Sequence, residues 1–413
     1  MTAGPSAYLD HASTTPARPE AVAAFVAEAS VGGNPSSLHS SGRRARAVVE
    51  EAREALAAIV GARPAEVVWT SGGTEADNLA VKGVYWGRRA QDPRRTKVLL
   101  SAVEHHAVLD CVEWLVAHEG ARAVWLPVDA VGRTDLTALE RELGTGEDVA
   151  LVALMWANNE VGTVQPVAEA AALAHAVGVP LHTDAVQAVG HLPVDLAASG
   201  ADALSLSAHK FGGPVGAGAL LVRRGTPLTP LQHGGGQELG VRSGTLDAAA
   251  AAATAAALTA AVNGLDAEVA RVQGLRDRLV DGLLTAVPGA DLRGDPRRDP
   301  RHRLPGNAHV TVSGTQGDSL LYLLDAAGVE CSTGSACQAG VPQPSHVLLA
   351  MGLSEEEAAG ALRFSLGWSS TAADVDAALA AIAAAVERSR RAATSTRTAR
   401  RRRAARTPGT VAS

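Results

Sequence analysis

The chain has 413 residues, 46% of them hydrophobic, with 42 Gly, 20 Pro and three Cys, enough for a large domain with a smaller one docked on it. Three cysteines cannot build a disulfide framework, so a reduced, cytoplasmic setting is expected. The formal net charge of −6 is unevenly placed: residues 388–413 carry nine arginines and no acid, leaving 28 basic against 43 acidic residues elsewhere.

In chain order, the opening "MTAGPSAYLDHASTTP" shows no basic stretch followed by an apolar one, so no signal peptide is expected. Short apolar runs then alternate with helical patterns. Candidate strands are "EVVWT" (66–70), "KVLLSA" (97–102), "AVWLPV" (123–128), "VALVALMW" (149–156), "PLHTDA" (180–185), "ALSLSA" (203–208) and "GALLVR" (218–223). Amphipathic helices such as "AEAAALAHAVG" (168–178) lie between them, which predicts an α/β fold on a mostly parallel seven-stranded sheet over residues 16–260. The longest apolar stretch, 246–262, is mostly alanine and reads as a packed helix, with no membrane span expected. A long amphipathic helix, 268–287, opens a smaller α+β domain formed by 1–15 and 261–387, with "NAHVTVSG" as a strand and a last helix near 372–387. Residues 388–413 lack apolar periodicity and read as a disordered tail. Contact with RNA is conceivable for such a tail, although a solubilising extension is the simpler expectation.

In open α/β sheets, ligands bind beyond the carboxyl ends of the strands. "EVVWTSGGTEADN" is a strand, a Gly pair and a helix starting near Thr74. Gly72 and Gly73 let the backbone approach an anion, and the first helical amides attract it, although a plain turn has the same look. "PLHTDAVQ" ends with Asp184 and "ALSLSAHK" with Lys210. An amine and a carboxylate at two strand ends beside an anion cradle suit pyridoxal phosphate. That cofactor needs a lysine for a Schiff base, an acid to keep its pyridine nitrogen protonated, and a phosphate cup. An ordinary buried ion pair would not explain why Ser207, His209 and Lys210 crowd one strand end before "FGGP". In "SAVEHHAV", His105 and His106 follow another strand, and a flat imidazole can stack on a pyridine ring or move protons. "ANNEVG" (157–162) adds side-chain amides at a fourth strand end, suited to a phenolic oxygen or a substrate carboxylate. Cys331 and Cys337, six apart, make a poor zinc site, so no metal is expected. Cys111 lies on an apolar helix and reads as core packing.

These residues resemble the cysteine desulfurases, pyridoxal-phosphate enzymes of the class V aminotransferase group. The matching segments are "YLDHASTTP", "GNPSSLHSSG", "TSGGTEADNLA", "EHHAVL", "NNEVGTVQP", "HTDAVQAVG", "SLSAHKFGGPVGAGAL", "GGGQELGVRSGT", "STGSAC", "PSHVLLAMG" and "LRFSLGW". They run in family order over about residues 7–385. The resemblance implies the fold type I architecture of pyridoxal-phosphate-dependent transferases. Lys210 would carry the cofactor, Asp184 would pair with the pyridine nitrogen, Gln187 would bond the phenolic oxygen and His105 would stack on the ring. Gly73, Thr74, Ser207 and His209 would hold the phosphate. Thr245, in "RSGT", would reach the phosphate of a neighbouring subunit, implying a homodimer with shared sites. Asn159 and Arg363 would hold the substrate carboxylate, and Cys337 would be the sulfur acceptor.

The implied reaction converts L-cysteine to L-alanine and leaves a persulfide on Cys337, for delivery to an iron–sulfur scaffold or a tRNA-thiolation enzyme. "STGSACQAGVPQPS" is rich in small and turn residues, as expected of a mobile loop, and its length resembles the branch with a long cysteine loop. "QAGVPQP" after the cysteine, Trp368 at the end of "LRFSLGW" and "YLDHAS" depart from the family pattern without removing a catalytic group. Cys331 has no matching role. A selenocysteine lyase or a lyase acting on another β-substituted amino acid, and a binding protein built on an inactive enzyme fold, are the competing readings.

Overall fold

Seven of the apolar runs become strands of one sheet. The computed structural model describes residues 6–334 and 344–404, with side chains as far as residue 392. In chain order the strands are β1 (Ala7–Tyr8), β2 (Val67–Thr70), β3 (Lys97–Ser101), β4 (Arg122–Leu126), β5 (Val149–Ala153), β6 (Leu181–Asp184), β7 (Ala203–Ser207), β8 (Gly218–Val222), β9 (Ala290–Leu292), β10 (Asn307–Val312), β11 (Val329–Glu330) and β12 (Ala361–Ser365). The large sheet has the order β2-β8-β7-β6-β5-β3-β4. β8 runs antiparallel to both of its neighbours and all other pairs are parallel, so six strands share one direction. Their carboxyl ends therefore open on the same edge.

Apart from the edge strand β4, whose Arg122 and Trp125 are exposed, the strands are buried on both faces, which is why they read as continuous apolar runs rather than as alternating ones. Leu99, Val152, Leu204 and Leu221 pack into one cluster with helices Ser40–Ile59, Val167–Ala176 and Ala248–Val262. Their strand neighbours Val98, Leu100 and Leu151 face the opposite side, against helices Gly73–Gln91 and His106–Glu119. Each fully buried Leu or Val contributes about 2 kcal/mol relative to leaving it in water. The alanine-rich helix is capped by Asp247, whose side chain accepts from the Ala250 amide. Its small residues let it lie close to helices Pro19–Ala29 and Ser40–Ile59. Among the described residues no single helix is long and apolar enough to cross a membrane.

A second core gathers around the antiparallel sheet β12-β10-β9 and the parallel pair β1-β11, under helices Leu265–Ala286 and Gly317–Asp325. The N-terminal segment thus joins the C-terminal part of the chain through Ala7–Val329 and Tyr8–Glu330. The last helix corrects one expectation. It runs from Ala372 to Ala404, well past 387, and replaces the disorder expected for the first part of the arginine-rich tail. Alanine and arginine are strong helix formers, so the segment continues a helix that is already nucleated without needing an apolar stripe. Ser389 is 2% exposed, and Arg390 donates to the carbonyls of Pro288 (2.6 Å) and Ser313 (3.1 Å), which ties the start of that extension to the small sheet. Residues 405–413 lie outside the described residues.

Candidate active site

The edge where six strands end forms the floor of a cleft of about 1020 Å3, counting its open mouth. Gly72, at φ +146°, turns the chain from β2 into helix Gly73–Gln91, whose N-terminus has no side-chain cap. A Cβ on Gly73 would stand 2.7 Å from Val186 Cγ2, so only glycine fits between the helix start and the segment after β6. Gly73, Thr74, Ser207 and His209 line this corner together. Their uncapped amides, hydroxyls and imidazole make a cup suited to a phosphate. His209 is fixed by a 2.6 Å hydrogen bond between its Nδ1 and Thr14 Oγ1.

Lys210 follows the last turn of β7. Its Nζ donates to the carbonyls of Ala12 (2.7 Å) and Ser13 (2.8 Å). Burial, and then the nearby Arg363 charge, lower this amine to about 8 against the opposing pull of Asp184. Asp184 closes β6 and accepts from the Val186 amide at 2.9 Å. Burial first, then the Asp77 charge, push its carboxyl up to about 7. A cationic N–H placed against Asp184 would offset that desolvation. His105 caps helix His106–Glu119 by accepting the Ala107 amide on Nδ1 at 3.1 Å, and burial lowers it to about 4. The ring is therefore neutral, flat and oriented. Gln187 Nε2 donates to the Ala12 carbonyl at 2.9 Å, the oxygen that Lys210 also reaches.

The opposite wall comes from the small sheet. Arg363, in β12, is 4% exposed. Its Nη1 donates to the Asn159 carbonyl (3.0 Å), and its Nη2 to Asp10 Oδ1 (2.9 Å) and Ser13 Oγ (2.8 Å). Asn159 lines the cleft, whereas Asn158 is turned inward and holds the loop through the Glu160 and Val161 amides.

Of the twelve residues to which the resemblance gives a site role, eleven fall on described positions, and ten of these line this one cleft: Gly73, Thr74, His105, Asn159, Asp184, Gln187, Ser207, His209, Lys210 and Arg363. Thr245 does not; it borders a separate cavity with Trp69, Ser71 and Arg242. Cys337 lies outside the described residues. Cys331 is buried, and desolvation pushes its thiol up to about 12, far from a reactive thiolate. Cys111 is buried in the core as expected. Asp10 and Ser13, which orient Arg363, and the buried groups Asp77, Glu104 and His182 were not singled out from the sequence. Asp10 stood in the quoted "YLDHASTTP", and its pairing became visible only once β12 lay beside the N-terminal segment. Among the described residues no cluster of His, Cys, Asp or Glu is arranged to hold a metal ion.

A near-neutral amine, a raised buried acid, a neutral flat ring and an amide-lined cup fit pyridoxal phosphate. The class-V aminotransferase family model matches residues 7–378. An IscS-like cysteine desulfurase of Mycobacterium tuberculosis (strain ATCC 25618 / H37Rv) is 57% identical over 387 residues, covering 94% of this chain and 98% of its own. A solved NifS-like protein superposes with TM-score 0.84 at 34% identity, over 92% of this chain and 99% of its own. The structure of SspA in complex with cysteine matches at TM-score 0.73 and 31% identity, over 87% and 98%.

Proposed function

Because the chain belongs to the class-V aminotransferase family, we propose that it is a pyridoxal-phosphate-dependent cysteine desulfurase, taking sulfur from L-cysteine and releasing L-alanine. The observation that carries this reading is the convergence of Lys210, Asp184 and His105 on one cleft, faced by the Arg363 guanidinium.

When bound, pyridoxal phosphate supplies an electron sink that permits bond breaking beside the substrate's amino carbon. The chain's own residues do the rest. Gly73, Thr74, Ser207 and His209 would hold the phosphate, Asp184 would hold the ring N–H, and Gln187 would bond the phenolic oxygen. His105 would stack on the ring as a neutral imidazole. Lys210 anchors the cofactor and, with its amine near neutrality, takes and returns the substrate's α-proton. Arg363, already oriented by Asp10 and Ser13, joins Asn159 in binding the substrate carboxylate. The Cys337 thiolate then forms an S–S bond with the substrate sulfur as the substrate C–S bond breaks. The electron pair of that bond stays with the carbon skeleton, which is protonated and leaves as L-alanine.

The persulfide is passed to a sulfur-acceptor protein, for iron–sulfur cluster assembly or for tRNA thiolation, in the cytoplasm. The working unit is a homodimer in which Thr245 serves the neighbouring subunit's phosphate; its place on a separate cavity, outside the lining of its own chain's cleft, supports this. A large part, 16–260, carries the cofactor, and a small part, 1–15 with 261–387, carries the cysteine loop. The test is a visible spectrum of the purified protein with and without L-cysteine, alongside alanine formation and mapping of trapped persulfide. A cysteine-dependent spectral change, alanine release and a persulfide on Cys337 are expected. No spectral change would sink the activity, and full turnover in Cys337→Ala would sink the sulfur carrier.

A further inference from the structure

Behind Asp184 lies a group of ionisable side chains that the reaction above does not use. Asp77 projects from the second turn of helix Gly73–Gln91, and His182 precedes Asp184 by two residues on the same face of β6. Their Oδ1 and Nε2 atoms are 3.4 Å apart, with side chains 2% and 1% exposed. His182 Nε2 also lies 3.0 Å from Ser205 Oγ on β7. Glu104, just beyond β3, accepts the Met155 amide on Oε1 at 2.7 Å. Among the described residues, Asp77 Oδ1, Glu104 Oε2 and His182 Nδ1 have no hydrogen-bond partner.

Three buried carboxyl groups therefore share one region at the floor of the cleft. The other ionisable groups facing it are Lys210, beyond β7, and Cys111, on helix His106–Glu119, whose thiol burial pushes up to about 12 and so keeps neutral. Burial lowers His182 to about 4, so it brings no positive charge. Burial raises Asp77 to about 7, and it raises Glu104 well above the usual carboxylate range, with the Asp184 and Asp77 charges adding to the rise. A buried carboxylate is costliest where one of its oxygens has no donor. Asp77 and Glu104 each keep one such oxygen, although the Ser205 hydroxyl and the Met155 amide serve the two carboxyls, whereas Asp184 accepts the Val186 amide and faces the Lys210 ammonium. Protons therefore settle on the first two, and the charge settles on the third.

We propose that Asp77, Glu104 and His182 form a neutral layer that confines the negative charge of this region to Asp184, which makes Asp77 and Glu104 positioning residues for the proton on the cofactor's ring nitrogen. The proposal rests on the reading of Asp184 as that nitrogen's partner. An anion in either underlying position would draw a proton onto Asp184 and weaken its hold on the ring.

The test uses the holoenzyme with isotope-edited infrared spectroscopy of its aspartate and glutamate carboxyls, together with the visible cofactor band followed over about pH 6 to 9. At neutral pH the wild type shows protonated-carboxyl bands, and Asp77→Asn and Glu104→Gln each remove one. The permanently neutral Asp77→Asn protein also holds its visible band steady where the wild-type band drifts as Asp77 ionises. If Asp77→Asn fails to fold, Glu104→Gln and the wild-type infrared bands still decide. Absence of protonated carboxyls at neutral pH overturns the layer, and an Asp77→Asn band that drifts like the wild type overturns its link to the ring. Asp184→Asn separates the two readings. If it keeps full cofactor retention while the infrared bands stand, the ring pairing fails and the neutral layer survives.

Discussion

On one wall of the cleft, Asp184, Lys210 and His105 sit at the ends of parallel strands, and burial bends the proton affinity of each. On the other wall, Arg363 sits inside a small antiparallel sheet and is aimed by hydrogen bonds to Asn159, Asp10 and Ser13. The first wall is made for groups that gain and lose protons. The second is made for a group that must point one way. Desolvation serves the first purpose because it penalises charge, and a fork of directed donors serves the second.

The largest effect expected from breaking the proton-handling wall comes from Lys210→Ala. Turnover should fall by roughly 10^3-fold or more, since both the covalent anchor and the acid–base group are lost. Alanine formation and the visible spectrum measure it, and a variant with near-normal turnover would remove Lys210 from its role. On the orienting wall, Arg363→Lys keeps a cation but loses the fork, along with the bonds that tie it to Asp10 and Ser13. Loss of charge-assisted hydrogen bonds worth about 1.5–3 kcal/mol predicts a KM for L-cysteine raised about 10- to 100-fold, with a smaller change in kcat. A change confined to kcat would show that Arg363 acts on protons instead, and would erase the contrast between the walls.

Much of this was legible in the sequence, and the reasons differ by residue. The seven strands read clearly because both faces of the sheet are covered, which leaves uninterrupted apolar runs ending in polar residues. Asp184 and Lys210 stood out because each is a charge at the end of such a run. Asp10 did not, because its meaning depends on β12 lying beside it, more than 350 residues away in the chain. Asp77 and Glu104 were hidden for a related reason. A carboxylate near a helix start is ordinarily a solvated or capping group, and only the packing of helix Gly73–Gln91 over β6 and β7 buries Asp77, while Glu104 turns inward to the Met155 amide. The extension of the final helix past residue 387 was missed because a helix already begun continues on propensity alone.

The pH dependence sharpens the contrast further. Lys210 is lowered from the ordinary lysine range to about 8, so its neutral fraction grows as pH rises through that value. A rate limited by proton abstraction should therefore climb by up to about tenfold per unit below pH 8 and level off above it. The Arg363→Lys variant should show the same midpoint with a higher KM, because lysine keeps the positive charge that, after burial, helps to lower Lys210. A midpoint moved by that variant would mean that the position of the charge, set by the bonds to Asp10 and Ser13, matters to Lys210 as much as its presence.

The smallest effect concerns Cys331, one of two buried cysteines among the described residues. Cys331 follows β11 at 8% exposure, packed with Leu9, Val329 and Phe364 of the second core. Its thiol, pushed up to about 12 by burial, is protonated at any physiological pH, so it offers no thiolate to attack or relay sulfur. Cys331→Ala should leave alanine formation and Cys337 persulfide unchanged. It should cost only about 1 kcal/mol of stability, as expected for removing one buried atom from a packed core, read as a small drop in Tm. A loss of sulfur delivery with stability intact would instead make Cys331 a working thiol, and would extend the proton-handling chemistry onto the orienting wall.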